Sequence, residues 1–576
     1  MGATAIRTRP AGLARRVPSR STLRRVLLFA VPAIPVLVLL QRAYAVRWVA
    51  DDGYITLRVA DQLGNGHGPV FNVGERVEAS TSTLWVFVLA LGDLVVPLRL
   101  ERVAVLLGVI LTLGGLGFAL AACRRLVARG GAGALLVPAG LLVYVAVKPA
   151  WLFTTSGLEG GLITGWLGIS LWVLVRWADG GRLAWWAAVL LGLGPLIRPD
   201  VGLYTAAFLA VVVFDGRGRW REVGRIAVWA LALPVAYQIF RMGYYAQLVP
   251  NPAVAKEAGS SRWDDGWSYL RKFVDPYILW IPLLALAVGA YPPLARDLRR
   301  DGRTRALLVV AAFAVAGLLH ALYVVRVGGD WIESRLLLPA FFALVAPVGL
   351  VPWRRTYGVA LLVVPWAVVS MLFFRSHVDD TIIANENPVA LGDYNWDLRN
   401  PLRQAPYQND GAYYHGVRVA DRAIGHDVVY GAFGIGVSGY ALRDLYVLDL
   451  LGLADPFTGH LDIDRRALAG HEKPLPVAWF VARAVPEGSP ISEDDFPAFP
   501  IIGSTPLDDP GNQSFAERVA VARSTLECPD LREFVDSYTE PLTVGRFFSN
   551  IVHAFGNTTR RIPAEPRDAA AKFCGT

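Results

Sequence analysis

Two adjacent carboxylates, Asp51 and Asp52, follow the first long apolar run, in the stretch "RWVADDGYITLRVADQLGNGHGPVFNVGERVEAS". A charge at the centre of a membrane helix costs about 2.5–3.5 kcal/mol on insertion scales, so the pair is expected at the water boundary beyond that run. An ionised carboxylate there can take a proton from a hydroxyl or stabilise the oxocarbenium-like charge of a sugar. The pair could instead be a helix cap and a solvated boundary acid.

Four cations in later polar segments could hold a phosphate beside these acids. They are Arg198, Lys256, Arg326 and Arg335. Acids next to a lipid phosphate that is held by such cations would suit the transfer of a sugar. Plainer interpretations remain open, because Arg198 could pair with Asp200 across a Pro-broken hairpin and Lys256 could be a solvated loop lysine. Glu159, in the same set of polar segments, could cap its helix.

The composition of the chain indicates what kind of protein carries these acids and cations. Of the 576 residues, 54% are hydrophobic and only 18% are charged, and the mean hydropathy is +0.41. Such a chain is too apolar for an ordinary soluble enzyme of this length, so it is expected to cross a membrane many times. Much of the positive charge behind the net charge of +8 lies in short basic clusters between apolar runs. Such clusters are typical of cytoplasmic membrane loops, so the basic charge does not indicate nucleic-acid binding. The three cysteines have no metal-type spacing, so no metal site is predicted from them.

About eleven apolar stretches are long enough to be membrane helices. They lie near 25–45, 101–123, 133–149, 157–177, 184–198, 200–214, 225–244, 276–294, 305–325, 335–352 and 356–374. Hydropathy alone would add Thr81–Leu98. If that segment instead lies at the membrane interface, as a juxtamembrane helix, all the large basic clusters face the cytoplasm. These clusters are Arg124, Arg125 and Arg129 and the segments 215–225, 295–305 and 353–355. The positive-inside rule therefore favours the interfacial position.

This assignment of the loops to the two sides of the membrane divides the chain into three parts. Residues 1–24 form a basic cytoplasmic tail before an uncleaved first helix, since no small-residue cleavage site follows the apolar run. Residues 25–374 form the transmembrane domain, with the loop 46–80 on the outer side. Residues 375–576 are less apolar and mix strand-like and helical patterns, which predicts a soluble α/β domain on the outer, periplasmic side.

The outer domain carries three further expectations. Cys528 and Cys574 lie where disulfides are permitted and are expected to bridge, whereas Cys123 lies at a cytoplasmic helix end and is expected to stay free. The stretch "GIGVSG" matches a dinucleotide fingerprint after a strand. Dinucleotide binding is nevertheless not expected, because the domain lies outside the cell and Asp449 follows too early for a ribose contact. Aromatic side chains are candidates for stacking on a glycan, and they are Trp396, Tyr413 and Tyr414.

The Asp pair in the first outer loop, the many spans and the outer C-terminal domain together resemble the GT-C superfamily of polyprenyl-phosphate-dependent glycosyltransferases. Within it the chain is similar to the mycobacterial family of terminal β-(1→2)-arabinofuranosyltransferases. The blocks that carry the similarity are "ADDG", "GPVFNVGERVEASTST", "TTSGLEGG", "PVAYQIFRMGYY", "LVPNPAVAK", "GGDWIESRLLLP", "LDLLGLADP" and "RFFSNIVHAF". They run from near residue 47 to near residue 555, so the resemblance covers nearly the whole chain.

The resemblance implies a GT-C fold that transfers D-arabinofuranose from decaprenyl-phosphoryl-arabinose to the arabinan ends of arabinogalactan and lipoarabinomannan. It implies that Asp51 and Asp52 are the acidic pair, with the outer domain positioning the acceptor. Further substrate-binding positions follow from the matching motifs, and they are Glu78, Tyr244, Asn251, Lys256, Asp330 and Arg335.

Several alternatives stay open on the sequence. A β-linked donor that gives a β-linked product means overall retention, which needs two displacements on a nucleophile or same-face attack through an ion pair. Asp51 could thus be the nucleophile, the base or an electrostatic stabiliser. The Asp pair could also hold a divalent metal, although no ligand spacing predicts one. The chain could use another polyprenyl-phosphate sugar. It could also transport a lipid-linked glycan, although internal helix repeats typical of transporters are not seen.

Overall fold

A computed structural model describes residues 20–127, 135–216, 219–374, 417–420, 428–432, 434–441, 445–462, 470, 472–485, 487 and 514–575. Arg129, Trp396, Tyr413 and Tyr414 lie outside the described residues, as do residues 1–19 of the predicted tail. The first helices are α1 (Arg20–Ala45), α2 (Asp51–Gly64), α3 (Thr83–Val95), α4 (Leu100–Val127), α5 (Ala139–Val145), α6 (Lys148–Leu152), α7 (Gly160–Ala178), α8 (Trp185–Gly192) and α9 (Gly194–Ile197). The next are α10 (Gly202–Asp215), α11 (Trp220–Tyr245), α12 (Asn251–Ala255), α13 (Trp263–Val274), α14 (Trp280–Gly289), α15 (Tyr291–Arg300), α16 (Thr304–Val327), α17 (Leu338–Val345) and α18 (Trp353–Phe373). Two short strands, β1 (Leu136–Val137) and β2 (Val351–Pro352), pair antiparallel.

Long apolar helices dominate the part of the chain before residue 375. Among the described residues, five helices are long and apolar enough to cross a membrane, and they are α4, α7, α11, α16 and α18. Shorter apolar helices cover Ala30–Ala45, Thr83–Val95, Gly202–Asp215 and Arg335–Val348. The chain is therefore a helical membrane protein, and the count of about eleven spans stays a prediction.

Four of the stretches predicted as single helices are broken. The stretch 184–198 is divided between α8 and α9, whose first turn contains a proline. The stretch 133–149 contains β1, α5 and the start of α6, with Pro138 before α5 and Pro149 in the first turn of α6. The stretch 276–294 is divided between α14 and α15, whose first turn contains a proline, and 335–352 is divided among α17, two 3-10 turns and β2. Proline lacks a backbone N–H and clashes with the preceding turn, so apolar composition could not show these breaks.

The segment expected at the interface forms α3, a helix of 13 residues. At 1.5 Å per residue it is about 20 Å long, which is less than the roughly 30 Å hydrocarbon core. Leu94 and Val95 at its end are 83% and 69% exposed within the protein. Helix α3 is thus shorter than a membrane span requires, and its interfacial position stays a prediction.

Glycines allow α4 and α7 to pack backbone against backbone. A Cβ on Gly115 would lie 2.3 Å from the Thr164 carbonyl oxygen, and one on Gly168 would lie 2.1 Å from the carbonyl oxygen of Gly115. A Cβ on Gly161 would lie 2.5 Å from the Gly108 carbonyl oxygen. Small residues at such positions let membrane helices approach closely, so this glycine seam holds the two spans together by van der Waals contact.

Ion pairs join several of the basic loops at one end of the helix bundle. They are Arg125–Asp179, Arg303–Asp179, Arg305–Asp215, Arg219–Asp215 and Arg355–Asp297. Helix α16 begins at this end and runs for 24 residues, or about 36 Å, to the segment that carries Asp330. The basic loops and the Asp330 segment therefore lie at opposite ends of a membrane-length helix.

The described part of the C-terminal region mixes strands and helices, as the α/β expectation required. Strand β4 (Val428–Ala432) pairs antiparallel with β3 (Val417–Ala420) and parallel with β5 (Tyr446–Asp449). The helices that follow are α19 (Val437–Ala441), α20 (Pro456–Gly459), α21 (Val477–Ala484), α22 (Phe515–Leu526), α23 (Pro529–Thr539), α24 (Val544–Thr559) and α25 (Pro566–Cys574). A disulfide joins Cys528 to Cys574, with the Cα atoms 5.3 Å apart, and Cys123 is free and buried.

Two buried arginines fasten this region to the loop 46–80. The Arg58 guanidinium donates to the carbonyl oxygens of Phe71, Gly439 and Leu445. Arg76 donates from its backbone N–H to the Tyr538 carbonyl and from its side chain to the Tyr244 carbonyl, at 2.8 and 3.0 Å. The loop 46–80 is thus enclosed between the helix bundle and the C-terminal region.

The glycine seam gives a test of the fold. We expect Gly115→Ala to lower the free energy of unfolding by about 1–3 kcal/mol, because the new methyl group collides with the Thr164 carbonyl. Gly117→Ala is the matched control on the same helix, since a Cβ there meets nothing within 4 Å. Thermal unfolding in detergent measures the difference, and equal midpoints for the two variants would contradict the seam.

Candidate active site

Helix α2 begins at Asp51, so both acids of the opening pair stand in its first turn. Acidic side chains are stabilised there by the helix dipole. Neither acid is the N-cap residue, which is Ala50, so the interpretation of the pair as a helix cap is wrong. The start of α2 is fixed by a hydrogen bond of 2.9 Å from the Ala50 backbone N–H to the Ser156 carbonyl. The pair is therefore held in place by the segment that precedes α7.

The Asp51 carboxylate also accepts hydrogen bonds from a distant part of the chain. The backbone N–H groups of Val437 and Gly436 donate to it at 2.8 and 3.3 Å. Both belong to "GIGVSG", the stretch for which dinucleotide binding was not expected. A Cβ on Gly436 would lie 2.0 Å from the Asp51 carbonyl oxygen, so only glycine allows the two backbones to meet this closely.

The environment of Asp51 changes its acidity. Burial raises the pKa of this carboxyl to about 6, the Asp52 charge adds to the rise, and the two backbone hydrogen bonds oppose it. The group is therefore ionised at neutral pH and close to its titration range. A carboxylate with a pKa near the working pH is well suited to exchange protons.

Asp52 begins a chain of alternating charges. Its carboxylate pairs with Arg335 at 3.2 Å, Arg335 reaches Asp330 at 3.5 Å, and Asp330 pairs with Lys256 at 3.5 Å. Burial alone would raise the pKa of Asp330, but Lys256, Arg335 and Arg198 hold it below its usual range. The structure thus brings together five of the residues that the sequence singled out.

Arg198 lies in a second buried network next to the first. It donates to Glu159 at 2.6 Å and to Asp200 at 2.9 Å. Asp200 also contacts the ring of His320 at 2.9 Å, and that ring contacts the Tyr204 hydroxyl at 3.0 Å. The pairing of Arg198 with Asp200 that was left open is present, and Glu159 adds a second carboxylate to it.

A cleft opens beside these two networks. Its volume is about 510 Å³, including the space that is open to solvent. The charged part of its wall is formed by Glu159, Arg198, Asp200 and Arg335. The rest of its wall is largely apolar, with Tyr144, Phe153, Leu158, Ile163, Leu336, Leu338 and Pro339. Such a cleft can hold an anion against the arginines and an apolar chain along the remaining wall.

The remaining predicted residues lie elsewhere. Glu78 forms a buried ion pair with Arg241 and accepts from the Tyr237 hydroxyl at 2.8 Å. Asn251 is fully buried and donates to the Gly452 carbonyl at 2.9 Å, so it joins α12 to the C-terminal region.

Two more predicted residues contact other parts of the protein. Tyr244 stacks on Phe240, with ring centroids 4.8 Å apart. Arg326 is exposed and donates to the Ser261 hydroxyl at 3.1 Å. Neither of them lines the cleft.

Sequence reasoning missed three parts of this arrangement. Glu159 was considered only as a helix cap and His320 was not considered, although an ionisable residue inside an apolar run is itself a signal of function. The backbone donors at Gly436 and Val437 have no side-chain signature. Among the described residues, no group of three or more His, Cys, Asp and Glu side chains could hold a metal ion.

An apolar helical bundle that carries paired carboxylates and an arginine-lined cleft at one end defines a membrane enzyme of the glycosyltransferase class, and comparison with known proteins supports this class. The terminal beta-(1->2)-arabinofuranosyltransferase of Mycobacterium tuberculosis is 33% identical, over 90% of this chain and 93% of its own length. The enzyme of the same name from Corynebacterium glutamicum is 32% identical, over 92% of this chain and 85% of its own. The AftB family C-terminal domain matches residues 504–571, and no solved structure matches. The chain belongs to the family of terminal β-(1→2)-arabinofuranosyltransferases.

Glycine 436 gives a test of the site geometry. We expect Gly436→Ala to lower sugar transfer at least about tenfold, because the methyl group displaces Asp51 from its two backbone donors. Those donors lower the pKa of Asp51, so their loss should raise it and move the acid limb of the pH–rate profile to higher pH. Gly434→Ala is the control, since a Cβ there meets nothing within 4 Å. An unchanged pH profile in the Gly436 variant would contradict the role of these donors.

Proposed function

We propose that this enzyme transfers D-arabinofuranose from decaprenyl-phosphoryl-arabinose to the arabinan ends of arabinogalactan and lipoarabinomannan, forming β-(1→2) linkages. The observation that carries the proposal is the arrangement of Asp51 and Asp52 beside a cleft that Arg198 and Arg335 line. The names of the two relatives support the transferred sugar and the linkage. A polyprenyl donor fits the cleft because the cleft combines cations with a largely apolar wall.

The donor phosphate binds between Arg198 and Arg335. Hydrogen bonds between charged groups contribute about 1.5–3 kcal/mol each when they are desolvated. Both guanidiniums are already oriented by carboxylates, Arg198 by Glu159 and Asp200 and Arg335 by Asp52 and Asp330. Little conformational entropy is then lost when the phosphate arrives, and the isoprenoid chain follows the apolar wall.

The two acids have different roles in this proposal. Asp52 positions Arg335 by its ion pair. Asp51 takes the proton of the acceptor hydroxyl and stabilises positive charge on the sugar ring as the bond to phosphate breaks. Both Asp51 oxygens accept backbone hydrogen bonds, which weakens the group as a nucleophile and favours same-face attack through an ion pair over a covalent intermediate.

The membrane orientation follows from charge. The end of the bundle that carries the basic loops faces the cytoplasm, together with the N-terminus. The Asp pair and residues 375–576 then face the periplasm, where the outer domain presents the glycan acceptor to the lipid-borne donor. The ion pairs that join the basic loops at one end support this orientation.

The carboxylate role is tested by Asp51→Asn. We expect transfer from the lipid-linked pentose to fall by about 10²–10⁴-fold, because the amide cannot accept the proton. Asp264→Asn is the matched control, since Asp264 also stands in the first turn of a helix but is exposed. The assay uses purified protein in detergent, where no sealed compartment exists and a transporter would show no transfer. Full activity of the Asp51 variant would remove its chemical role.

The phosphate site is tested by Arg335→Gln. We expect a rise in KM for the donor and a fall in kcat, each at least about tenfold, because a charge-assisted contact is lost, Asp52 loses its ion pair and Asp330 loses one of its two ion pairs. Arg326→Gln is the control, because Arg326 is exposed and does not line the cleft. Competition with other polyprenyl-phosphate sugars in the same assay identifies the donor. Equal effects of the two arginine substitutions would contradict the assignment.

A further inference from the structure

Helix α24 has the reverse of the polarity expected for a helix of a water-exposed domain. Its outward face is apolar: Val544, Phe548, Val552 and Phe555 are 76%, 62%, 76% and 68% exposed. Their spacing of four, four and three residues places them on one face of the helix. The opposite, buried face carries Asn550, Ala554 and Asn557. In a solvated domain the polar side chains would face water, so the outward face of α24 requires an apolar neighbour.

The position of α24 indicates what that neighbour is. The helix packs against the end of the membrane span α11, where the Asn550 side chain donates to the Gly243 carbonyl at 3.0 Å. The Phe547 ring lies so close to Gly243 that a Cβ on this glycine would be 2.2 Å from it. A third contact joins the Leu248 backbone N–H to the Thr558 hydroxyl at 2.8 Å. These contacts fix α24 beside the final turn of α11.

The side chains of α11 next to this junction are themselves open to the surroundings. Val235 and Ile239 are 53% and 50% exposed. In the 18-residue apolar stretch of this helix, only 11% of the residues are buried within the protein. Lipid covers such a face in a membrane span. Ile239 precedes Gly243 by four residues, or about one helical turn. The apolar face of α24 therefore continues the lipid-facing surface of α11.

We propose that α24 lies in the interfacial layer of the bilayer, with Val544, Phe548, Val552 and Phe555 inserted among the lipids. Interfacial helices insert their apolar face about 5–10 Å into the boundary between headgroups and acyl chains. The disulfide between Cys528 and Cys574 links the turn before α23 to the end of α25, so the helices on both sides of α24 are covalently joined. The matched C-terminal domain is then a membrane-seated element and not a freely solvated one. The result is that this domain stays next to the membrane surface where a lipid-borne substrate would be found.

Fluorescence quenching tests this proposal on the full chain. In a Val552→Cys variant the new thiol is available for an environment-sensitive NBD label, because Cys123 is buried and the other two cysteines form the disulfide. The protein is placed in nanodiscs of phosphatidylethanolamine and phosphatidylglycerol that contain spin-labelled lipids. The control is Ala520→Cys, at an exposed position of α22 in the same domain.

We expect the label at position 552 to be quenched more by lipids spin-labelled near the headgroup than by lipids labelled near the bilayer centre. Its quenching by the former should be at least about twofold stronger than that at position 520. Equal quenching at the two positions, or no quenching at position 552, would overturn the proposal. The readout needs no enzymatic turnover, so its result is independent of the proposed reaction.

Discussion

The whole site depends on how the chain keeps the carboxylate of Asp51 charged away from bulk water. Burying an ionised group is costly unless hydrogen bonds or opposite charges replace its hydration. Here backbone N–H groups from Gly436 and Val437 supply that replacement, from a position 385 and 386 residues further along the chain. The helix bundle alone therefore does not complete the site. The outer loop and the C-terminal region must meet before Asp51 acquires its environment, and the buried guanidinium of Arg58 fixes that meeting by donating to both.

Charge compensation organises the rest of the same end of the molecule. Each arginine that lines the cleft contacts two carboxylates, so removal of either arginine takes an opposite charge away from two buried acids. Such networks resist local rearrangement, because each of the two guanidiniums is held by carboxylates on two sides. In the proposed reaction, an incoming phosphate therefore meets guanidiniums that are already in place, and burial strengthens both its attraction to them and its repulsion from the neighbouring carboxylates.

The sequence predicted the class, the polar end and six of the residues that meet there, because hydropathy, basic loops and unusually placed charges can each be read from a short stretch of sequence. It did not predict the helix breaks within 133–149, 184–198, 276–294 and 335–352, where apolar composition conceals the effect of proline and of turns on hydrogen bonding. Glu78 and Asn251 were predicted to bind substrate, and their buried contacts with Arg241 and Gly452 depend on long-range packing that no local pattern encodes. The donors at Gly436 and Val437 escaped prediction for a related reason, since a backbone N–H is the same in every residue but proline. For α3, by contrast, the charges of distant loops supply the prediction of an interfacial position, because the topology of a membrane protein couples the sides of all its loops.

The packing of α4 against α7 at the glycine seam is coupled to the position of the charged side chains in the cleft. Glu159, which holds Arg198, directly precedes α7, and the first turn of that helix is pressed against α4 at Gly108 and Gly161. The same Gly108 leaves room for the carbonyl of Thr154, in the segment that forms one wall of the cleft. Because close-packed backbones transmit displacements with little slack, a shift of α4 against α7 must move Glu159 and with it the guanidinium of Arg198. Small residues near the ends of two apolar helices thus influence the position of a cation in the cleft.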